Sequence, residues 1–121
     1  MKKFILLILF LGVSLVVLAN NVKAQSHTKT LLYLYSPNCT YCVKFEPIFH
    51  KVSKAFAGKC NFKKVDVRTA EGQKLMRKYN GVFVPYVLIL DDKTDYEAFI
   101  SPNCIISYAC TSSAVENFVN K

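Results

Sequence analysis

Thr30-Leu31-Leu32-Tyr33-Leu34-Tyr35-Ser36-Pro37-Asn38-Cys39-Thr40-Tyr41-Cys42-Val43-Lys44-Phe45-Glu46-Pro47 is the stretch on which the architecture turns. Its first six residues are apolar, aromatic or β-branched on both alternating faces, the pattern of a strand buried from two sides. Ser36-Pro37-Asn38 breaks that run, and Asn38 is placed to cap a helix beginning at Cys39. From there Cys42, Phe45, Phe49, Val52 and Phe56 recur at spacings of three and four, drawing one apolar stripe that would pack on a sheet. Pro47 lies inside the stripe, and because the periodicity continues past it, a kink is expected rather than a helix end.

Downstream, Ala57-Gly58-Lys59 closes the helix, and residues 61–67 read as a second strand. A helix follows over about residues 69–79, with Leu75, Met76 and Tyr79 on its buried side. Asn80-Gly81 is a turn, residues 86–90 a third strand, and Asp91-Asp92-Lys93 a hairpin turn into a fourth strand over residues 96–100. A last helix is expected over about residues 112–120, where Val115, Phe118 and Val119 share a face. Alternating β and α elements followed by a hairpin and a helix predict an α/β domain, a central mixed sheet flanked by helices.

Upstream, Lys2 and Lys3 precede an apolar run from Phe4 to Ala19, which turns polar at Asn20-Asn21. That is the layout of a secretory signal peptide, with Val22-Lys23-Ala24 as the cleavage site and Ala19 as a second choice. The run falls short of the roughly 20 residues a membrane-crossing helix needs, so a retained anchor is the lesser reading. The expected division is therefore a signal peptide over residues 1–24 and one domain over residues 25–121, placed in the periplasm or secreted. Loss of Lys2, Lys3 and Lys23 takes the formal charge from +8 to +5. The remaining lysines are scattered, without the basic blocks and interleaved aromatics of a nucleic-acid footprint.

Cys39 and Cys42 carry the chemistry. Three residues apart at a helix start, they can close a disulfide, and the unsatisfied N–H groups and dipole of the first turn favour a thiolate at Cys39. Cys39 is thus the expected nucleophile and Cys42, one turn deeper on the apolar stripe, the resolving thiol. Thr40 and Tyr41 between them are candidate redox-tuning residues. A zinc site would need two further ligands, and neither His27 nor His50 has ligand spacing with the pair, so no metal and no bound cofactor are expected.

These residues resemble the thioredoxin superfamily: buried strand, Cys-x-x-Cys at a helix start, Pro47-Ile48 in that helix, Lys64-Val65-Asp66-Val67 as the next core strand, and Gly81-Val82-Phe83-Val84-Pro85 before the third. The resemblance covers about residues 28–120 and implies a thioredoxin-like fold. It also implies a cis Pro85 facing the cysteine pair and a Val84 backbone that binds an extended substrate peptide. Two departures stand out: Asn38 replaces the family's tryptophan, and Tyr33 falls where cytoplasmic thioredoxins bury an aspartate. Glu46, four residues after Cys42, is a candidate substitute proton acceptor, with a solvated surface glutamate as the alternative.

Three cysteines remain. Cys104 and Cys110 bracket a short segment before the last helix, and in an oxidising compartment a local disulfide is the natural reading, with a second redox relay as the alternative. Closing so short a loop is worth roughly 2 to 2.5 kcal/mol in the chain-entropy model. Cys60 reads as a buried, inert thiol. The expected function is thiol–disulfide exchange with protein thiols and disulfides outside the cytoplasm, by a monomer served by a soluble or membrane-bound electron donor or acceptor. The small size, without a helical insertion, leans toward a reductase. The alternative is a non-enzymatic metal-binding or interaction protein on the same scaffold.

Overall fold

The computed structural model describes residues 28–94 and 96–121. The segment read as a signal peptide and His27 lie outside the described residues. Within them the elements are β1 (Lys29–Tyr35), α1 (Thr40–Ala55), β2 (Asn61–Asp66), α2 (Ala70–Lys78), β3 (Tyr86–Asp91), β4 (Tyr96–Phe99), α3 (Pro102–Ile105) and α4 (Tyr108–Val119). Among the described residues no helix is long and apolar enough to cross a membrane.

The sheet order is β2-β1-β3-β4. β1 runs parallel to β2, with Thr30 opposite Asn61 and Tyr33 opposite Lys64, and antiparallel to β3, with Tyr33 opposite Val87. β3 and β4 form the hairpin, whose turn is held by Asp91 Oδ1 accepting from the Lys93 N–H at 3.0 Å. Helices cover both faces of the sheet, so the side chains of β1 are buried on both. Leu31 and Tyr33 point into one core with Cys42, Phe45, Phe49 and Val52 of α1 and Val115 and Phe118 of α4. Leu32 and Leu34 point into the other, with Val65, Tyr86 and Leu88, against which Leu75, Met76 and Tyr79 pack from the α2 side. The result is the mixed sheet with helices on both faces that the β-α pattern implied.

Three expectations need correction. Asn38 is exposed and does not cap α1; Cys39 is the cap and the helix starts at Thr40. The Cys39 sulfur, drawn over the first turn by its bond to Cys42, accepts from the Cys42 N–H at 3.1 Å and takes the place an Asn oxygen would have filled. α4 begins at Tyr108, four residues before the expected start, because Ser107 caps it by accepting from the Cys110 N–H at 3.3 Å. α3 was not expected as a separate element; Ser101 caps it and Pro102 occupies its first turn, where a missing N–H costs nothing. The helix over α1 does run through Pro47, as the periodicity required.

α2 lies close on β2 at one glycine. A Cβ added at Gly72 would sit 2.0 Å from the Asp66 carbonyl oxygen and 2.7 Å from Val67 Cα, both backbone atoms that cannot step aside. Alanine would gain about 1 kcal/mol of helix propensity over glycine, but overpacking against a fixed backbone costs about 1–3 kcal/mol. Gly72→Ala is therefore expected to lower stability by about 1 kcal/mol net, the middle of the overpacking range less the propensity gain, in urea unfolding followed by circular dichroism. An unchanged or raised midpoint would refute the close approach.

Candidate functional site

The site forms where β1 ends and α1 begins. Cys39 and Cys42 are joined as a disulfide, with Cα atoms 5.1 Å apart. They differ in exposure: Cys39 is half-buried at the helix cap, whereas Cys42 is 3% exposed and packs with Tyr33 and Phe45. The cap position matters electrically. The Cys42 N–H points at the Cys39 sulfur, so on reduction a negative charge there would gain a charge-assisted hydrogen bond as well as the helix dipole.

Opposite the pair stands the loop before β3. The Val84–Pro85 peptide bond is cis, Pro85 is buried, and the Val84 carbonyl oxygen lies 3.6 Å from Cys39 Sγ. A reduced Cys39 thiol would donate along that line. Thr40 and Tyr41, between the cysteines, are both exposed, and Tyr41 carries Lys44 Nζ 5.3 Å above its ring.

Beside Cys42 a cleft of about 340 Å³ is lined by Tyr33, Tyr35, Cys42, Glu46 and Lys64 among others. Tyr33 fills the end of this cleft and donates its hydroxyl to the Cys42 carbonyl oxygen at 3.0 Å. Glu46 does not bond either sulfur. Its Oε1 accepts from Lys64 Nζ at 2.6 Å and lies 3.4 Å from His50 Nε2. Lys64 in turn sits 4.3 Å above the Tyr35 ring. Burial, reinforced by the neighbouring Glu46 charge, holds the Tyr33 phenol far above the ordinary tyrosine range, so it remains a hydrogen-bond donor at any physiological pH.

The structure brings Val84 and Pro85, expected there from the resemblance, against Cys39, and sets Glu46 in the cleft beside Cys42. Sequence reasoning missed Lys64 and the Tyr33 hydrogen bond. The signal available was register: Lys64 is a charged residue opposite Tyr33 in a strand beside β1, and only the parallel pairing puts it beside the pair. Cys104 and Cys110 form a second disulfide, Cα atoms 5.1 Å apart, joining α3 to the first turn of α4. Cys60 is a buried free thiol whose pKa burial raises. Among the described residues no group of three or more His, Cys, Asp or Glu side chains is placed to hold a metal ion.

Comparison with known proteins agrees with this geometry. A family model described as Thioredoxin matches residues 17–104. Among solved structures, the J-Trx1 fragment of ERdj5 superposes with a TM-score of 0.67 at 16% identity, covering 80% of this chain and 46% of that one. The germline-specific thioredoxin Deadhead of Drosophila melanogaster gives 0.63 at 16% identity, covering 76% of this chain and 82% of its own. The oxidised thioredoxin of Plasmodium falciparum gives 0.62 at 17%, covering 77% and 83%. At these identities the structural likenesses establish the fold. The chain spans less than half of the ERdj5 fragment. No curated protein matches it.

Tyr33→Phe removes one buried hydrogen bond and is expected to cost about 1 kcal/mol at pH 7. A phenol whose folded pKa is raised stabilises fully below its unfolded value, near 10, and loses that contribution as pH rises above it. The stability advantage of the wild type over Tyr33→Phe should therefore shrink from about pH 10 upward. Urea midpoints of both proteins at pH 7, 9 and 11 check this, and a constant gap would contradict it.

Proposed function

The chain belongs to the thioredoxin family, its domain a thiol–disulfide oxidoreductase, and from that premise we propose that it reduces disulfides of protein substrates outside the cytoplasm. The observation that carries this reading is the asymmetry of the pair: Cys39 half-exposed at a helix cap before a cis-proline, Cys42 buried behind it. In the reduced protein the Cys39 thiolate attacks one sulfur of a substrate disulfide. A Cys39–substrate S–S bond forms, and the other substrate sulfur leaves as a thiolate that takes up a proton. Cys42 then loses its proton and attacks Cys39 Sγ, closing the Cys39–Cys42 bond and releasing the second substrate thiolate. Two electrons pass from the protein dithiol to the substrate disulfide, and a dithiol donor, soluble or membrane-bound, restores the starting state.

The Val84 backbone beside the cis bond would pair with the extended substrate segment, and Thr40 and Tyr41 would tune the potential through the first helical turn. Glu46 is the carboxylate of the cleft beside Cys42, and in this reading it receives the Cys42 proton through water there, steadied by Lys64. Support for export comes from the basic, apolar and polar succession of residues 1–24. The Cys104–Cys110 disulfide adds to it, since such bonds persist in oxidising compartments. The lean toward reduction rests on the small, uninterrupted domain.

Equilibrium titration of the Cys39–Cys42 pair against dithiothreitol, with alkylation and mass readout, tests the direction. A potential near about −270 mV, the thioredoxin value, is expected; one near about −120 mV would make the protein an oxidant and sink the reductase reading. Cys42→Ser should accumulate a mixed disulfide through Cys39 in an extracytoplasmic fraction, on a chain beginning at Gln25, whereas Cys39→Ser should trap nothing. Trapping only in the cytoplasm, or equally by both variants, would overturn the assignment.

Glu46→Gln is expected to slow resolution by about a hundredfold or more near neutral pH, within the usual range for a positioned proton acceptor, and to shift the pH profile of Cys42 alkylation. An unchanged profile would leave Glu46 as the surface partner of Lys64 and His50 alone.

A further inference from the structure

The second disulfide faces a cleft of its own. A cavity of about 390 Å³ lies between the β3–β4 hairpin and α4, with Ile89, Ala98 and Phe118 among its apolar walls, and both Cys104 and Cys110 line it. It shares no lining residue with the cleft beside Cys42. The volume falls within the range that takes a small molecule. Cys110 is exposed and Cys104 half-buried, so Cys110 is the more accessible of the two. No acidic side chain lines the cleft, whereas the exposed Lys121 does. Lys29 Nζ adds a second cation, 5.1 Å from the ring of Phe118.

The corner that carries the bond is held by more than the bond. Ile105, next to Cys104, is buried in the larger core, and the fully buried Thr111, next to Cys110, donates its hydroxyl to the Cys104 carbonyl oxygen at 3.1 Å. With the S–S bond broken, these ties keep the two thiols adjacent and able to close again. Cys110 also sits in the first turn of the twelve-residue α4, which contains no acidic residue, and its N–H donates to Ser107 Oγ at 3.3 Å. A negative charge on the Cys110 sulfur is favoured there by the helix dipole, with no carboxylate in the turn to oppose it.

We propose that Cys104–Cys110 is a second thiol–disulfide exchange site, separate from the Cys39–Cys42 pair, and that it exchanges with small anionic thiols seated in this cleft. The thiolate of the small molecule attacks Cys110 Sγ. A bond from Cys110 to the small thiol forms, the Cys104–Cys110 bond breaks, and Cys104 leaves as a thiolate that takes up a proton. A second small thiolate attacks the sulfur of the bound one and releases it as a disulfide, and Cys110 leaves in the anionic form that the helix terminus favours. Two electrons pass from two small thiols to the protein pair, and the reverse sequence closes it. The state of this pair therefore follows the balance of small thiol to small disulfide around the protein.

The full mature chain carrying Cys39→Ser/Cys42→Ser keeps the Cys104–Cys110 bond while Cys60 stays buried, so exchange can be read at that bond by alkylation, peptide mapping and mass. Two probes of similar size and opposite charge are compared at equal thiolate concentration: 2-mercaptoethanesulfonate and cysteamine. Millimolar 2-mercaptoethanesulfonate should open the pair through an adduct on Cys110, about fivefold faster than cysteamine does, as expected for exposed charges. Lys121→Gln should bring the two rates within about twofold. Peptide mapping of the wild type should show the same adduct, which keeps the test independent of how the double variant folds. A pair that stays closed, an adduct on Cys104 instead, equal rates for the two probes, or a preference that survives Lys121→Gln overturns the proposal. An inert Cys104–Cys110 bond in a wild type whose Cys39–Cys42 pair exchanges with dithiothreitol refutes this second site and leaves the redox reading of the first intact.

Discussion

The sulfur of Cys39 has two obligations that cannot be separated. It accepts the Cys42 N–H, one of the free N–H groups in the first turn of α1, the task normally given to an Asn or Ser oxygen, and it is the atom that reacts. A thiolate accepts such a bond more strongly than a neutral sulfur does, so the folded helix stabilises the reactive form of its own cap. Everything else at the site follows from keeping that geometry. Cys42 must be buried one turn deeper, the helix must start abruptly at Thr40, and the strand before it must be rigid enough to fix where the start lies.

That rigidity comes from β1. Paired on both edges and packed on both faces, it is, with β3, an element whose displacement would disturb the two cores at once. Tyr33 shows how closely the core and the site are joined. Its ring meets Phe45 edge to face at 4.8 Å between centroids, in the heart of the larger core, while its hydroxyl holds the Cys42 carbonyl. Where the resemblance to cytoplasmic thioredoxins implies a buried aspartate, this chain has a donor that burial keeps protonated near neutrality. Glu46, the carboxylate that lines the cleft beside Cys42, is matched by a lysine from β2.

β1 and α1 were legible in the sequence because burial writes a period into it. Leu31 to Leu34 are apolar at consecutive positions, and Cys42, Phe45, Phe49 and Val52 keep helical spacing through Pro47. The cysteine pair was legible from spacing, Val84 and Pro85 only from likeness. The cap was misread because propensity favours Asn38 while the geometry of a Cys-x-x-Cys bond overrides it. The α3–α4 corner was hidden for a different reason. α3 is too short for any period, and the first turn of α4, Tyr108-Ala109-Cys110, is exposed and so adds nothing to an apolar stripe. Ser101-Pro102 and Ser107 were usable start signals in hindsight, each a serine capping the residues that follow it.

Cys60 gives the molecule an unintended instrument. The chain contains no tryptophan, yet its odd thiol lies 5% exposed between β1 and the end of α1, while the other four cysteines are tied in disulfides. Reaching that sulfur requires the larger core to open around it, so the rate at which the oxidised protein takes up a thiol reagent reports that opening. The same seclusion sets an order of events at birth: a nascent chain that closes its core before meeting an oxidant keeps Cys60 out of circulation, and one that folds late leaves it open to all four other cysteines.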